Sequence, residues 1–196
     1  MRKVIVFNLM TLDGYFEGPD RDITWHNVDG EFNEYAVNML DSMDLLLFGR
    51  VTYELMAGFW PTEEAIKTDP IVATKMNSSP KVVFSRTLNK AEWNNTRLVK
   101  SAMEEEIRKL KELPGKDIAL LGSGNVMSQL AQQGLIDEYR IMMNPLVLGR
   151  GTPLFNGIRE RIDLRLLKTR TFRNGNVLLY YEPAGKENYH GNKNDT

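Results

Sequence analysis

Ile118-Ala-Leu-Leu-Gly-Ser-Gly-Asn-Val126 joins an apolar run to a small-residue turn, and an amphipathic segment follows at once. The pattern predicts a strand feeding a tight turn into a helix N-terminus, where free backbone N–H groups and the helix dipole favour a phosphate. Gly122 and Gly124 would let the main chain approach a ligand with no Cβ in the way. One such turn is a weak signal, because small-residue turns between strand and helix are common. It gains weight from two further strand ends that carry phosphate-friendly residues.

Working outward, Val4 to Leu9 reads as a buried strand and Asp44 to Gly49 as a second, each an apolar run of strand length. Between them lies a long loop, 11–30, which carries Tyr15, Phe16 and Trp25. Loops of that length within a compact domain are often functional, and this one is expected to be a lid. A helix then presents Phe32, Tyr35, Ala36, Met39, Leu40 and Met43 on one face. Val51 to Phe59 predicts a short helix ended by Trp60-Pro61, followed by a polar stretch with Pro70 and Pro80. Lys81 to Ser85 and Arg97 to Lys100 read as strands. The helix around Ile107, Leu110 and Leu113 closes at Pro114-Gly115. After the glycine turn, Val126 to Gln133 is helical and Tyr139 to Leu148 extended. Leu164 to Phe172 and Val177 to Tyr181 flank Asn174-Gly175, a hairpin signal whose two central residues would both take positive φ. Strands alternating with helices, then a hairpin, imply an α/β domain with a mainly parallel sheet and an antiparallel edge.

The 196 residues suit one domain over residues 1–183, with a polar tail, 184–196, expected to be disordered. A net charge of -1 gives no reason to expect nucleic acid or a membrane as partner. Cysteine is absent, which fits a reducing cytoplasm and removes thiolate metal sites. No apolar run approaches the ~20 residues of a membrane span, and Val4 opens a strand too early for a signal peptide. No metal site is expected, and His26 is expected to be a solvent-facing loop residue.

In an open α/β sheet, ligands bind beyond the carboxyl ends of the strands. Gly49-Arg-Val-Thr-Tyr-Glu54 offers a turn, the planar fork of Arg50 and the hydroxyl of Thr52 at a helix start. Phe84-Ser-Arg-Thr87 sets two hydroxyls around a guanidinium. Each alone is a helix cap or a surface arginine. Together with the glycine turn they suit a dinucleotide, which needs several anchors along one sheet edge.

These stretches resemble the dihydrofolate reductase-like superfamily, in particular single-domain proteins similar to the C-terminal reductase domain of the bifunctional riboflavin biosynthesis deaminase/reductase. The resemblance runs from Val4 to about Glu182. Its carriers are Thr11-Leu-Asp-Gly14, Gly49-Arg-Val-Thr-Tyr-Glu54, Val82-Val-Phe-Ser-Arg-Thr87, Leu121-Gly-Ser-Gly124, Gly134-Leu-Ile-Asp-Glu138 and Pro145-Leu-Val-Leu-Gly-Arg-Gly-Thr-Pro-Leu-Phe155. It implies a three-layer αβα fold that binds NADPH along the strand ends. By position, Arg50, Ser85, Arg86 and Thr87 would meet the 2′-phosphate. Gly49, Thr52, Gly122, Ser123, Gly124, Asn125 and Val126 would surround the pyrophosphate. Two arginines and two hydroxyls suit a dianion, and no acid stands where NADH selection would need one.

The resemblance also implies hydride transfer to a C=N or C=O bond of a small heteroaromatic, pyrimidine- or pterin-like substrate. Asp13 matches the family position facing the substrate, where a carboxylate would anchor a ring or deliver a proton; equally, Asp13-Gly14 reads as a plain turn. Gly14, Phe16, Trp25, Tyr53 and Trp60 are expected to wall the pocket. The position where dihydrofolate reductases carry an acid on the first helix is Asn33, and the zinc deaminase half has no counterpart. A homodimer is expected as in relatives, with Ile141 to Leu148 serving either as its face or as a central strand. The rival readings are a non-catalytic nucleotide-binding or sensor domain and a purely structural dimerisation module.

Overall fold

Side chains that alternate in direction along the strands divide the core into two halves, one on each face of a single sheet. The computed structural model describes residues 1–185. The strands are β1 (Val4–Thr11), β2 (Tyr15–Glu17), β3 (Met43–Gly49), β4 (Lys81–Phe84), β5 (Thr96–Val99), β6 (Asp117–Leu121), β7 (Glu138–Asn144), β8 (Thr152–Pro153), β9 (Leu164–Thr171) and β10 (Val177–Pro183). The helices are α1 (Gly30–Asp41), α2 (Arg50–Phe59), α3 (Glu63–Thr68), α4 (Pro70–Ser78), α5 (Met103–Glu112) and α6 (Gly124–Gln132). Eight strands form one sheet in the order β5-β4-β3-β6-β1-β7-β10-β9. From β5 to β7 all pairs are parallel, and β10 runs antiparallel to both neighbours.

Val4, Val6, Leu45, Leu47, Ile118 and Leu120 face α5 and α6, packing on Ile107, Leu110, Met127 and Leu130. Ile5, Phe7, Leu46, Phe48, Ala119 and Leu121 face the opposite way, onto Tyr35, Met39, Tyr53 and Met76. The period of two sends neighbours to opposite faces, and because helices cover both, the central strands read as unbroken apolar runs. This is the expected three-layer αβα arrangement.

Four readings of the sequence change. The stretch taken as polar connection forms α3 and α4: Thr62 accepts from the Ala65 N–H at 3.2 Å, and Pro70 stands in the first turn of α4. Proline there opens a helix, since the N–H it lacks has no intrahelical partner at that position. β7 stops at Asn144, before Pro145, and lies between β1 and β10 with Ile141 and Met142 buried, so 141–144 belongs to a central strand and 145–148 lies beyond it with Val147 exposed. The hairpin turn keeps only Gly175 at positive φ, +90°. Its bonds, Gly175 N–H to Phe172 O at 3.0 Å and Phe172 N–H to Asn176 O at 2.8 Å, make a three-residue connection of turn plus bulge. Loop 11–30 is largely tied down. Asn27 donates its N–H to Asn144 Oδ1 at 2.9 Å and Nδ2 to the Asn174 carbonyl at 2.8 Å, and its own carbonyl accepts from Asn176 Nδ2 at 2.8 Å.

The disorder expected of the tail falls mostly on 186–196, outside the described residues; Ala184 itself donates to Asp163 O at 2.8 Å. Among the described residues no helix is long and apolar enough to cross a membrane.

Lys81, buried at the start of β4, donates to the Asn77 and Ser79 carbonyls at 3.2 and 2.6 Å and lies 4.5 Å from the Trp93 ring centroid. Burial pushes its ammonium down to about 8. The unfolded chain, near 10.4, then holds more protons between those values, so stability rises with pH across that window. Thermal unfolding of wild type against Lys81→Met from pH 7.5 to 9.5 checks this. The wild-type Tm is expected to gain on the variant as pH rises.

Candidate functional site

A cleft of about 960 Å³ opens beyond the carboxyl ends of β3, β4, β5 and β6. That is the upper range of ligand pockets, ~300–1,000 Å³, and suits an extended ligand. Gly49, Arg50, Thr52, Ser85, Arg86, Thr87, Ser123, Gly124, Asn125 and Val126 all line it. The structure therefore brings together every residue expected at the cofactor except Gly122, which lies just behind Thr52.

Two turns form the floor, and their side chains are committed to each other. The Gly49 N–H donates to Ser123 Oγ at 2.6 Å, and Ser123 in turn donates its N–H and Oγ to Thr52 Oγ1 at 3.0 and 2.9 Å. Gly122, at φ +57°, packs so closely that a Cβ would stand 2.8 Å from Thr52 Cγ2. The hydroxyls expected to touch a pyrophosphate thus staple β3–α2 to β6–α6. What the staple presents to the cleft is backbone: neither α2 nor α6 has a side-chain cap or an acid in its first turn. Two uncapped helix N-termini side by side offer free backbone N–H groups of the kind that suit an anion. The third helix that starts at the cleft, α5, carries Glu104, Glu105 and Glu106 in its first turn, which already answer its dipole.

The β4 end of the cleft is cationic. Ser85 Oγ accepts from the Thr87 and Leu88 N–H groups at 3.2 and 2.9 Å and shares a 3.5 Å contact with Thr87 Oγ1, so it organises the turn that carries Arg86. Arg86 and Lys100 are exposed, line the cleft, and have no partner among the described residues. Arg50 differs, since Glu54 takes its Nη1 at 2.8 Å.

The expected substrate wall is dispersed. Phe16 alone of the five lines the cleft, its ring 3.2 Å from where a Gly124 Cβ would be. Tyr53 is buried under α2, and its hydroxyl accepts from the Trp93 N–H at 2.9 Å. Its placement on the sheet-facing side of an amphipathic helix dictates this. Trp60 packs at the far end of α2, donating Nε1 to Met56 Sδ at 3.1 Å. Trp25 bonds the Asp22 carbonyl at 3.1 Å and meets His26 edge-on. Gly14 makes a turn, its carbonyl accepting from Leu154 N–H at 3.0 Å. His26 turns inward instead of to solvent; its Nε2 is buried without a partner, and burial holds the ring down at about 4. Asn33 Nδ2 is taken by Asp69 at 2.7 Å.

Asp13 is occupied by its own chain. It accepts from Thr11 Oγ1 at 2.6 Å, Leu148 N–H at 3.1 Å and Gly149 N–H at 2.7 Å. The Thr11 hydroxyl and then these amides hold its carboxyl down to about 2, so it is ionised at neutral pH, a poor state for donating a proton. Its bonds tie the β1 end to Leu148 and Gly149, in the segment that leads into β8. β8 pairs with β2 to form a flap above the start of α6, packed so closely that the Glu17 carbonyl occupies the space of a Gly151 Cβ.

The sequence reading missed Arg21, Lys100, Gln129, Thr152 and Asn156, all cleft-lining. Lys100, read as the last residue of a strand, stands one residue past β5 and was open to the same strand-end logic as Arg86. Arg21 and Thr152 had no such signal, because they reach the cleft only through the β2–β8 pairing.

A family model described as the RibD C-terminal domain matches residues 2–178. An uncharacterized protein of Bacillus subtilis, YyaP, is 35% identical over 184 residues, covering 94% of this chain and 96% of that protein. A second from the same organism, YwjB, is 24% identical over 93% of this chain and 99% of its own length. Among solved structures, a putative riboflavin biosynthesis protein from Shewanella sp. PV-4 superposes with a TM-score of 0.72 at 24% identity, covering 93% and 99% of the two chains. A diaminohydroxyphosphoribosylaminopyrimidine deaminase/5-amino-6-(5-phosphoribosylamino)uracil reductase from Thermotoga maritima gives 0.68 at 14% identity, over 93% of this chain and 57% of its own. A pyrimidine reductase-like protein from Corynebacterium diphtheriae gives 0.65 at 12% identity, covering 93% and 92%. At these identities the structural likeness establishes the fold.

Proposed function

The chain belongs to the RibD C-terminal domain family, and from that premise we propose that it is an NADPH-dependent reductase acting on a small pyrimidine- or pterin-like heterocycle. The observation that carries the reading is one cleft with two kinds of anion site. Backbone amides at the starts of α2 and α6 suit a pyrophosphate. Arg86 and Lys100 beyond β4 and β5, with Arg50 at the start of α2, suit a 2′-phosphate at the other end of the cleft. Bound NADPH would supply the hydride. The protein's part is to hold the phosphates, close Phe16 and the flap over the α6 start, and keep water out. Asp13 acts in this scheme by anchoring the flap, as an ion, through Leu148 and Gly149.

Calorimetric titration with NADPH and NADH, followed by NADPH oxidation in the presence of oxidised pyrimidines and pterins, tests the proposal. Tighter binding of NADPH and turnover with a member of that panel are expected. Tight binding with no turnover across the panel would favour the sensor reading, and binding of neither nucleotide would sink the reductase reading.

A further inference from the structure

The flap carries a cation of its own. Arg21 lines the cleft, is exposed, and has no hydrogen-bond or ion-pair partner among the described residues. It sits at the tip of a turn closed by Gly18 N–H to Asp22 O at 2.7 Å and Asp22 N–H to Pro19 O at 3.1 Å. Trp25 Nε1 braces the same Asp22 carbonyl at 3.1 Å. Asp20 and Arg21 are both left-handed, at φ 56° and 64°. Non-glycine residues adopt that conformation at a cost, and consecutive ones persist only where the surroundings hold them. Here the cost sets a guanidinium at the rim of an anion cleft.

Its place along the cleft follows from the flap. β2 pairs with β8, and Phe16 touches the start of α6, so Arg21 belongs to the β6–α6 end. Arg86 stands at the β4 end, two strands away, or about 10 Å. Glu17 is the one carboxylate lining this cleft, and it forms no ion pair with Arg21. The geometry points to Arg21 as the lid half of a pyrophosphate clamp: the α2 and α6 amides hold the diphosphate from below and the Arg21 fork closes on it from the flap. The inference rests on the NADPH reading, and it assigns Arg21 to the diphosphate and not to the 2′-phosphate.

The test is calorimetry with two probes, NADPH and adenosine 2′-monophosphate, which carries no diphosphate. Arg21→Asn removes the charge while keeping a residue that tolerates the left-handed backbone. It should weaken NADPH about tenfold, the low end for a charge-assisted contact at an exposed position, and leave the monophosphate unchanged. Arg21→Lys should recover part of the loss, and Arg86→Ala should weaken both probes. NADPH binding unchanged in Arg21→Asn overturns the clamp, as does an equal loss for both probes. A wild-type protein that binds neither probe overturns the nucleotide reading itself, a result distinct from either.

Discussion

Arg86→Ala is expected to weaken NADPH binding about 10–100-fold while NADH binding barely changes. The range follows from a hydrogen bond to a charged group contributing about 1.5–3 kcal/mol, at 1.4 kcal/mol per tenfold. Arg86 lies free at the β4 end, so a phosphate there would meet a guanidinium with nothing to displace. Arg50→Ala should do less, because Glu54 already holds that guanidinium at 2.8 Å and both side chains are exposed. Glu54→Gln should accordingly tighten NADPH. Titrations at low and high salt check the order, since exposed charges are screened and the Arg86 effect should shrink as salt rises. Equal losses of NADPH and NADH affinity in Arg86→Ala would place the 2′-phosphate elsewhere.

Gly122→Ala is expected to damage cofactor binding and stability together. Its φ of +57° costs an alanine about 1–2 kcal/mol, and its Cβ would stand 2.8 Å from Thr52 Cγ2. Thr52 cannot step aside without releasing Ser123, whose bonds register the two helix starts. We expect a Tm lower by roughly 5–10 °C and NADPH weaker by at least tenfold. Gly134→Ala separates the two effects. That residue has φ +66° but nothing within 4 Å of its would-be Cβ, so it carries the backbone cost alone. It should lower the Tm by less and leave NADPH binding intact. If Gly134→Ala matched Gly122→Ala in both readouts, the staple would have no part in the site.

Sequence periodicity was enough to place the sheet's main strands along the chain, because a strand buried on both faces reads as an apolar run such as Asp44 to Gly49 or Ile118 to Leu121. The same logic located the cleft floor and two of its cations, Arg50 and Arg86, since residues that follow such runs must stand at the strand ends. Side-chain commitment escaped it. Thr52 and Ser123 read as ligand groups because a hydroxyl at a helix start suits a phosphate, yet 71 positions apart they bond each other. Tyr53 and Trp60 read as pocket walls, but the face of α2 they occupy turns toward the sheet.

Local pattern and the backbone geometry of each strand end set the α/β layering and the line of glycine- and hydroxyl-bearing turns, and both were legible in the amino-acid order alone. Tertiary structure alone decided what each polar group does. Asp13 became the anchor of a flap, and Arg21 came to the cleft, because β2 found β8 some 135 residues away. Such pairings depend on which distant segments the fold brings together, and no local periodicity encodes them.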